Sequence, residues 1–189
     1  TVPADLFDYL PHGNSFIQTA QYFKDRFSLS ESVEEIMQIW TDMVSERYSS
    51  DVALKNGVSD LLQKINVSGI KIGLGTSNSF ELAKKSLTHH GVWHYFEAVV
   101  TGDMHLKGKP YPDIYLLCAD KLGLQPNECV VIEDTLFGVQ AGKAAGMTVI
   151  GIYDEDSIDQ QKQIIEIADA FCQDYQAIEV ELRRLRYIV

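Results

Sequence analysis

The sequence predicts an α/β fold, a doubly wound parallel sheet with a helical block in front of it. Three observations carry that expectation. Apolar runs without polar alternation recur between residues 70 and 172, Val130-Val131-Ile132 being the clearest, as in strands of a parallel sheet covered on both faces. A stretch of helical length ending in Gly146 separates that run from the next, Val149 to Ile152. Before them, from Asp5 to Tyr48, the pattern is helical throughout and offers no strand.

At 189 residues the chain can bury a real core as one domain, or as a core domain with a small insert. Its net charge of -11 would repel a phosphate backbone, which argues against nucleic acid as a partner, although a small anion could still bind through a metal. Cys118, Cys129 and Cys172 lie far apart with no C-x-x-C, so neither a disulfide framework nor a zinc site is suggested and buried packing is their expected role. No apolar run approaches membrane-spanning length, and Thr1-Val2-Pro3 has neither a basic region nor a signal-peptide core. A cytoplasmic location away from membranes is expected.

In chain order, Phe16, Ala20, Phe23 and Phe27 recur at helical spacing, as do Val33, Ile36, Met37, Trp40, Met43 and Val44. Ser32 with Glu35 forms a capping box at the second helix. These helices form a hairpin whose aromatic and Met residues make the seam, with substrate contact by one or two of them the lesser alternative. The block, residues 1–54, reads as a lid over a core at 55–189. In that core Gly57 to Asn66 is a helix, and Ile70 to Thr76 is a buried strand whose two glycines let something approach closely.

Thr76, Ser77 and Asn78 then precede a helix running to about His90, with Asn78 placed to cap it and Glu81 to complete a box. A helix start carrying a hydroxyl and free N–H groups suits a phosphate; plain capping would account for Asn78 but not for Thr76. His89, His90 and His94, at the far end, read as surface or packing residues. Phe96 to Thr101 is the next strand, followed by a loop from Gly102 to Pro112 in which Pro110 forces Lys109 into an extended backbone. A lysine held this way neutralises a phosphate or a carboxylate, the alternative being a solvated loop residue; Lys107 is the weaker candidate.

Tyr111 to Leu122 is a helix with Pro112 in its first turn and Gly123 at its end. The strand at Val130 ends in Glu133 and Asp134, at the sheet edge where open α/β sheets bind ligands. Two adjacent carboxylates there suit Mg²⁺, which takes hard oxygen ligands and keeps waters and phosphate in its shell; the bland alternative is an Asp helix cap beside a solvated Glu. Gly138, Ala141, Gly142, Ala144, Ala145 and Gly146 give the next helix a small face for close packing, not a cofactor box. Val149 to Ile152 and Ala168 to Cys172 are the last strands. Tyr175 to Ile188 is the closing helix, with Arg183, Arg184 and Arg186 at its C-terminal end.

Together the strand ends offer a hydroxyl, a lysine and an acid pair, which at one edge of a parallel sheet form a phosphoryl-binding site. L-G-T-S-N, K-G-K-P-Y-P-D-I-Y and V-V-I-E-D-T-L-F-G-V-Q-A-G-K-A-A-G-M resemble the Ser/Thr, lysine and acidic motifs of the haloacid dehalogenase superfamily, in particular its phosphatase and beta-phosphoglucomutase branch. The resemblance covers nearly the whole chain and implies a Rossmann-like doubly wound parallel sheet with a helical cap. It implies that Thr76 and Lys109 hold the transferring phosphoryl group, that Ser77 and Asn78 contact substrate, and that Glu133 and Asp134 anchor Mg²⁺. The expected partner is a small phosphorylated metabolite. The family's first motif, D-x-D-x-T/V after an initial strand, has no match: Phe7-Asp8-Tyr9-Leu10-Pro11 lacks the second aspartate and the apolar strand.

In the family the first of those aspartates is the nucleophile and the second the general acid and base, so the chain as it stands is expected to be inactive alone. The missing strand lies mid-sheet in the family, between those ending at Thr76 and Glu133. Its loss would leave two rows of backbone polar groups unpaired, so the segment is expected to be missing from the recorded sequence or its place to be taken by another strand, a natural domain without it being the lesser alternative. Three functions follow: an Mg²⁺-dependent phosphatase using an aspartyl-phosphate in the complete protein, a hexose-phosphate mutase, or a non-catalytic phosphometabolite-binding or regulatory protein. A signalling receiver domain fits less well, because there the acid pair precedes the hydroxyl and lysine in the chain.

Overall fold

Five of the eight described α-helices start where a side chain satisfies one of the first free N–H groups. Ser15 accepts the Gln18 N–H at 3.2 Å while the Gln18 side chain accepts the Ser15 N–H at 3.0 Å, and α1 (Phe16–Phe27) begins there. The Ser32–Glu35 box forms as expected and opens α2 (Val33–Tyr48). Trp40 of α2 packs edge-on against Phe16 and Phe23 of α1, ring centroids 6.0 and 5.1 Å apart, so the aromatics do form the seam. Met43, expected in that seam, is 73% exposed. The computed structural model describes residues 3, 5–6, 15–48 and 50–188; the Phe7–Pro11 stretch lies outside them.

The remainder alternates helix and strand: α3 (Val58–Val67), β1 (Ile72–Gly75), α4 (Phe80–His89), β2 (Phe96–Val100), α5 (Asp113–Leu122), β3 (Val130–Glu133), α6 (Leu136–Ala144), β4 (Thr148–Ile152), α7 (Gln161–Ile167), β5 (Ala170–Cys172) and α8 (Tyr175–Arg184). Three details differ from the sequence expectation. Ser79, not Asn78, caps α4, its hydroxyl accepting the Leu82 N–H at 3.3 Å. Helix α8 stops at Arg184 because Arg186 takes a left-handed φ of 65°. Residues 155–167, given no element above, form a short 3₁₀ turn and α7, whose Ile164 is buried against the sheet.

Strands β3, β4 and β5 pair in parallel in that order, and β1 pairs in parallel with β2. Alternation along the strands divides the core. Val131 and Val149 face a cluster with Cys118 of α5, Val139 of α6 and Ile164 of α7, while Ile150 and Ile152 face Leu61 of α3 and Ile178 and Leu182 of α8. Helices therefore cover both faces, as the doubly wound reading requires.

The sheet is split. No hydrogen bonds join β1 to β3 among the described residues, and a cavity of about 430 Å³ lies between them, lined by Ile72–Gly75 on one side and Val130–Glu133 on the other. Tyr115 approaches Gly75 at the C-terminal end of β1 and hydrogen-bonds Glu133 at the C-terminal end of β3, while Leu122, further along α5, lies against Gly73 nearer the start of β1. The two edges consequently run the same way on either side of an apolar slot, closed by Cys118 and Leu122 on one face and Leu61 and Ile65 on the other.

Candidate active site

Helix α5 assembles the site from below. Its Tyr115, 7% exposed, donates its hydroxyl to Glu133 Oε1 at 2.5 Å. Lys109, at the end of the loop leading into α5, ion-pairs with the same oxygen and sits 5.2 Å from the Tyr115 ring centre. The other oxygen, Oε2, accepts from the Thr135 hydroxyl at 2.9 Å and from the Asp134 and Thr135 N–H groups at 3.2 Å each. Both oxygens of Glu133 are therefore engaged by the protein. Burial opposes its charge, yet Lys109 with Tyr115 and Thr135 outweighs burial and holds the carboxyl below its usual range. The same burial, with the Glu133 charge beside it, pushes the Tyr115 hydroxyl well above its ordinary value.

Gly138 is part of this arrangement. A Cβ there would stand 2.0 Å from the Glu133 carboxyl carbon, so the small face of α6 makes room for the carboxylate itself. The sequence pattern showed the small face but not what it accommodates. Thr135 caps α6, its hydroxyl accepting the Gly138 N–H at 3.1 Å, which leaves Asp134 free of the capping role.

The Thr76 loop meets the same edge. Thr76 continues β1 past Gly75, against which the Tyr115 ring packs, and its N–H still bonds to Val100 O at 3.0 Å. Its hydroxyl accepts the Asn78 N–H at 3.2 Å. Ser77 is exposed and lines a shallow depression with Lys107 and Lys109, so the hydroxyl loop and the lysine loop border one another. Gly102 secures the loop from behind, its N–H donating to Asn78 O at 2.8 Å, and a Cβ there would lie 1.9 Å from Ser77 O. Asn78 instead reaches the helical hairpin, donating to the Tyr48 hydroxyl at 3.0 Å.

Asp134 turns away from Glu133. Its Oδ2 accepts from the Lys55 ammonium at 2.6 Å, and Lys55 also ion-pairs with Asp154 just after β4. Sequence reasoning missed Lys55, Tyr115, Thr135 and Asp154, and for Lys55 no local signal exists, since its partners lie 79 and 99 residues away. Among the described residues, no group of three or more His, Cys, Asp or Glu side chains is arranged around a common metal position. The donor chemistry at Asp134 nevertheless suits a hard cation completing its shell from water and phosphate, because the ammonium of Lys55 already stands at these carboxylates as a cation.

A family profile described as haloacid dehalogenase-like hydrolase matches residues 11–152. The chain belongs to this family. It is 46% identical to the fructose-1-phosphate phosphatase YqaB of Escherichia coli over 81 residues, 43% of each chain. It is 33% identical to hexitol phosphatase A of the same organism over 141 residues, 75% of this chain and 64% of that protein. The chain spans about half the length of the curated relatives it matches. CbbY from Rhodobacter sphaeroides, solved with phosphate, superposes over 92% of this chain and 79% of its own with a TM-score of 0.78 at 22% identity. A beta-phosphoglucomutase from Clostridium difficile does so over 93% and 78% with a TM-score of 0.71 at 24% identity. Both share the fold, and no described helix is long and apolar enough to cross a membrane.

Proposed function

We propose that these residues belong to a magnesium-dependent phosphatase of small phosphorylated metabolites, phosphorylated sugars first among them. The observation that carries the reading is the buried Lys109–Glu133 pair at the sheet edge beside the Thr76 loop. Glu133, fixed by Tyr115 and Thr135, positions the Lys109 ammonium. Lys109 and the Thr76 hydroxyl then hold the phosphoryl oxygens, and Ser77 and Asn78 border the leaving group. Asp134 would be the protein's ligand to Mg²⁺, with Glu133 beside it acting through its hold on Lys109. The metal, when bound, neutralises charge on the phosphoryl group.

The nucleophile arrives, in this reading, on a parallel strand that fills the slot between β1 and β3 and ends beside Thr76 and Glu133. A carboxylate oxygen there forms the P–O bond as the bond to the sugar oxygen breaks, a neighbouring acid protonates that oxygen, and water then hydrolyses the acyl phosphate. The helical hairpin serves as the cap, and the Asn78–Tyr48 contact joins it to the phosphate loop. The sugar phosphatases among the relatives support the substrate class.

The deciding experiment compares Mg²⁺-dependent hydrolysis of an aryl phosphate by these 189 residues and by a longer form that supplies the strand. The expected outcome is turnover by the longer form alone. Turnover by the 189 residues would overturn the account of the nucleophile. A longer form that binds phosphate without turning over would favour a binding or regulatory protein. Product analysis on hexose phosphates separates phosphatase from mutase by whether phosphate is released or moved.

A further inference from the structure

Lys55 lies in the connection between α2 and α3, and nothing in its own neighbourhood of the chain asks for a cation. Its ammonium nevertheless reaches across to the ends of β3 and β4, where it bridges Asp134 Oδ2 and Asp154 Oδ2. The two carboxylates differ. Asp154 is 15% exposed and anchored by the backbone, its Oδ1 accepting the Asp156 N–H at 2.8 Å as cap of the 3₁₀ turn. Asp134 is 35% exposed, and among the described residues its Oδ1 accepts no hydrogen bond. The lysine is thus tethered on its fixed side and touches the open carboxylate on the other.

We infer that Lys55 is a built-in counter-cation that occupies the cation position at Asp134 and must give way when a divalent metal binds there. The inference rests on reading Asp134 as the metal ligand. The physical reason is charge. An ammonium about 4 Å from a divalent ion repels it by roughly 2 kcal/mol even at the dielectric of bulk water, and more near a protein surface. Lys55 is half-exposed and Asp154 remains as its partner, so the side chain can leave Asp134 without losing its own neutralisation. An occupied Asp134 spares the metal-free edge the repulsion between two unneutralised carboxylates. The cost is weaker metal binding than Asp134 alone would give.

The test is direct Mn²⁺ binding to the purified protein, followed by the electron paramagnetic resonance of the free ion, so that no turnover is needed. Lys55→Met is expected to bind Mn²⁺ about thirtyfold more tightly than the wild type, which is one ammonium's repulsion of roughly 2 kcal/mol at about 1.4 kcal/mol per factor of ten. Lys55→Arg keeps the charge and is expected to bind as the wild type does. Asp134→Asn should abolish binding. If Lys55→Met binds no more tightly while Asp134→Asn still abolishes binding, the counter-cation is overturned and Asp134 keeps its role as ligand. If Asp134→Asn binds as well as the wild type, or if neither the wild type nor Lys55→Met binds Mn²⁺, the metal reading of Asp134 falls and takes the inference with it.

Discussion

Glu133 shows how much a single side chain can organise when every lone pair is spoken for. Its carboxylate is buried, and three side chains and two backbone N–H groups converge on it. Lys109→Met would leave that carboxylate without its cation and should cost about 3–5 kcal/mol in denaturant unfolding, more than removal of an exposed lysine would. The double variant with Glu133→Gln should recover part of the loss. Tyr115→Phe removes one hydrogen bond to a charged group and should cost about 1.5–3 kcal/mol. Gly138→Ala drives a methyl into the carboxylate, and a loss of roughly 1–3 kcal/mol is expected, with a fall in phosphate affinity as Lys109 shifts. Lys109 and Glu133 stood out in the sequence as separate signals, one beside a proline and one at a strand end. Their contact did not, because nothing in either segment specifies the other.

Between elements, close approach decides which helix lies on which strand. Gly73 lets α5 settle on β1: a Cβ there would meet Cys118 Sγ at 2.4 Å. Gly73→Ala should destabilise by roughly 1–3 kcal/mol, and Cys118→Ala in the same chain should restore most of it, which a double-mutant cycle would measure. Asp169, just ahead of β5, ties three elements together. Its carboxylate takes the Lys143 ammonium of α6 at 2.7 Å and the Val149 N–H of β4 at 2.8 Å. Partial burial opposes the charge, but these partners outweigh it and hold the carboxyl below 3.8. A carboxyl lowered on folding stabilises fully above its ordinary value, and that contribution disappears as pH falls through the lowered one. Unfolding followed between pH 5 and 2 should therefore show an acid limb that Asp169→Asn flattens. The glycines of I-K-I-G-L-G-T announced that something approaches this strand, while α5 as the approaching element is visible only in the fold.

Across the whole molecule the governing feature is the slot between β1 and β3. An apolar cavity of about 430 Å³ flanked by two edges running the same way leaves backbone N–H and C=O groups without ladder partners among the described residues, in a place that helices cover on both faces. A parallel strand in that slot would join the two sheets into one. Amide hydrogen exchange provides the measurement. In the 189 residues the β1 and β3 amides should exchange faster than those of β4, which pairs on both sides. In a form that supplies the strand they should be protected to the level of β4. Equal protection in both forms would show that the slot takes no strand.

What the residues determined by themselves was local: β-branched runs without alternation specify covered parallel strands, capping boxes such as Ser32–Glu35 start helices, and charge placed at the end of a strand marks an edge where polar side chains converge. Those signals span only a few positions each, so they survive reading in one dimension. Which of the polar residues touch was decided by folding alone. Lys55 reaches Asp134 and Asp154, Tyr115 reaches Glu133, and Ser79 displaces Asn78 as the α4 cap because Asn78 is turned toward Tyr48. Each of those outcomes depends on distances between elements, and such distances arise only when the helices settle against the sheet.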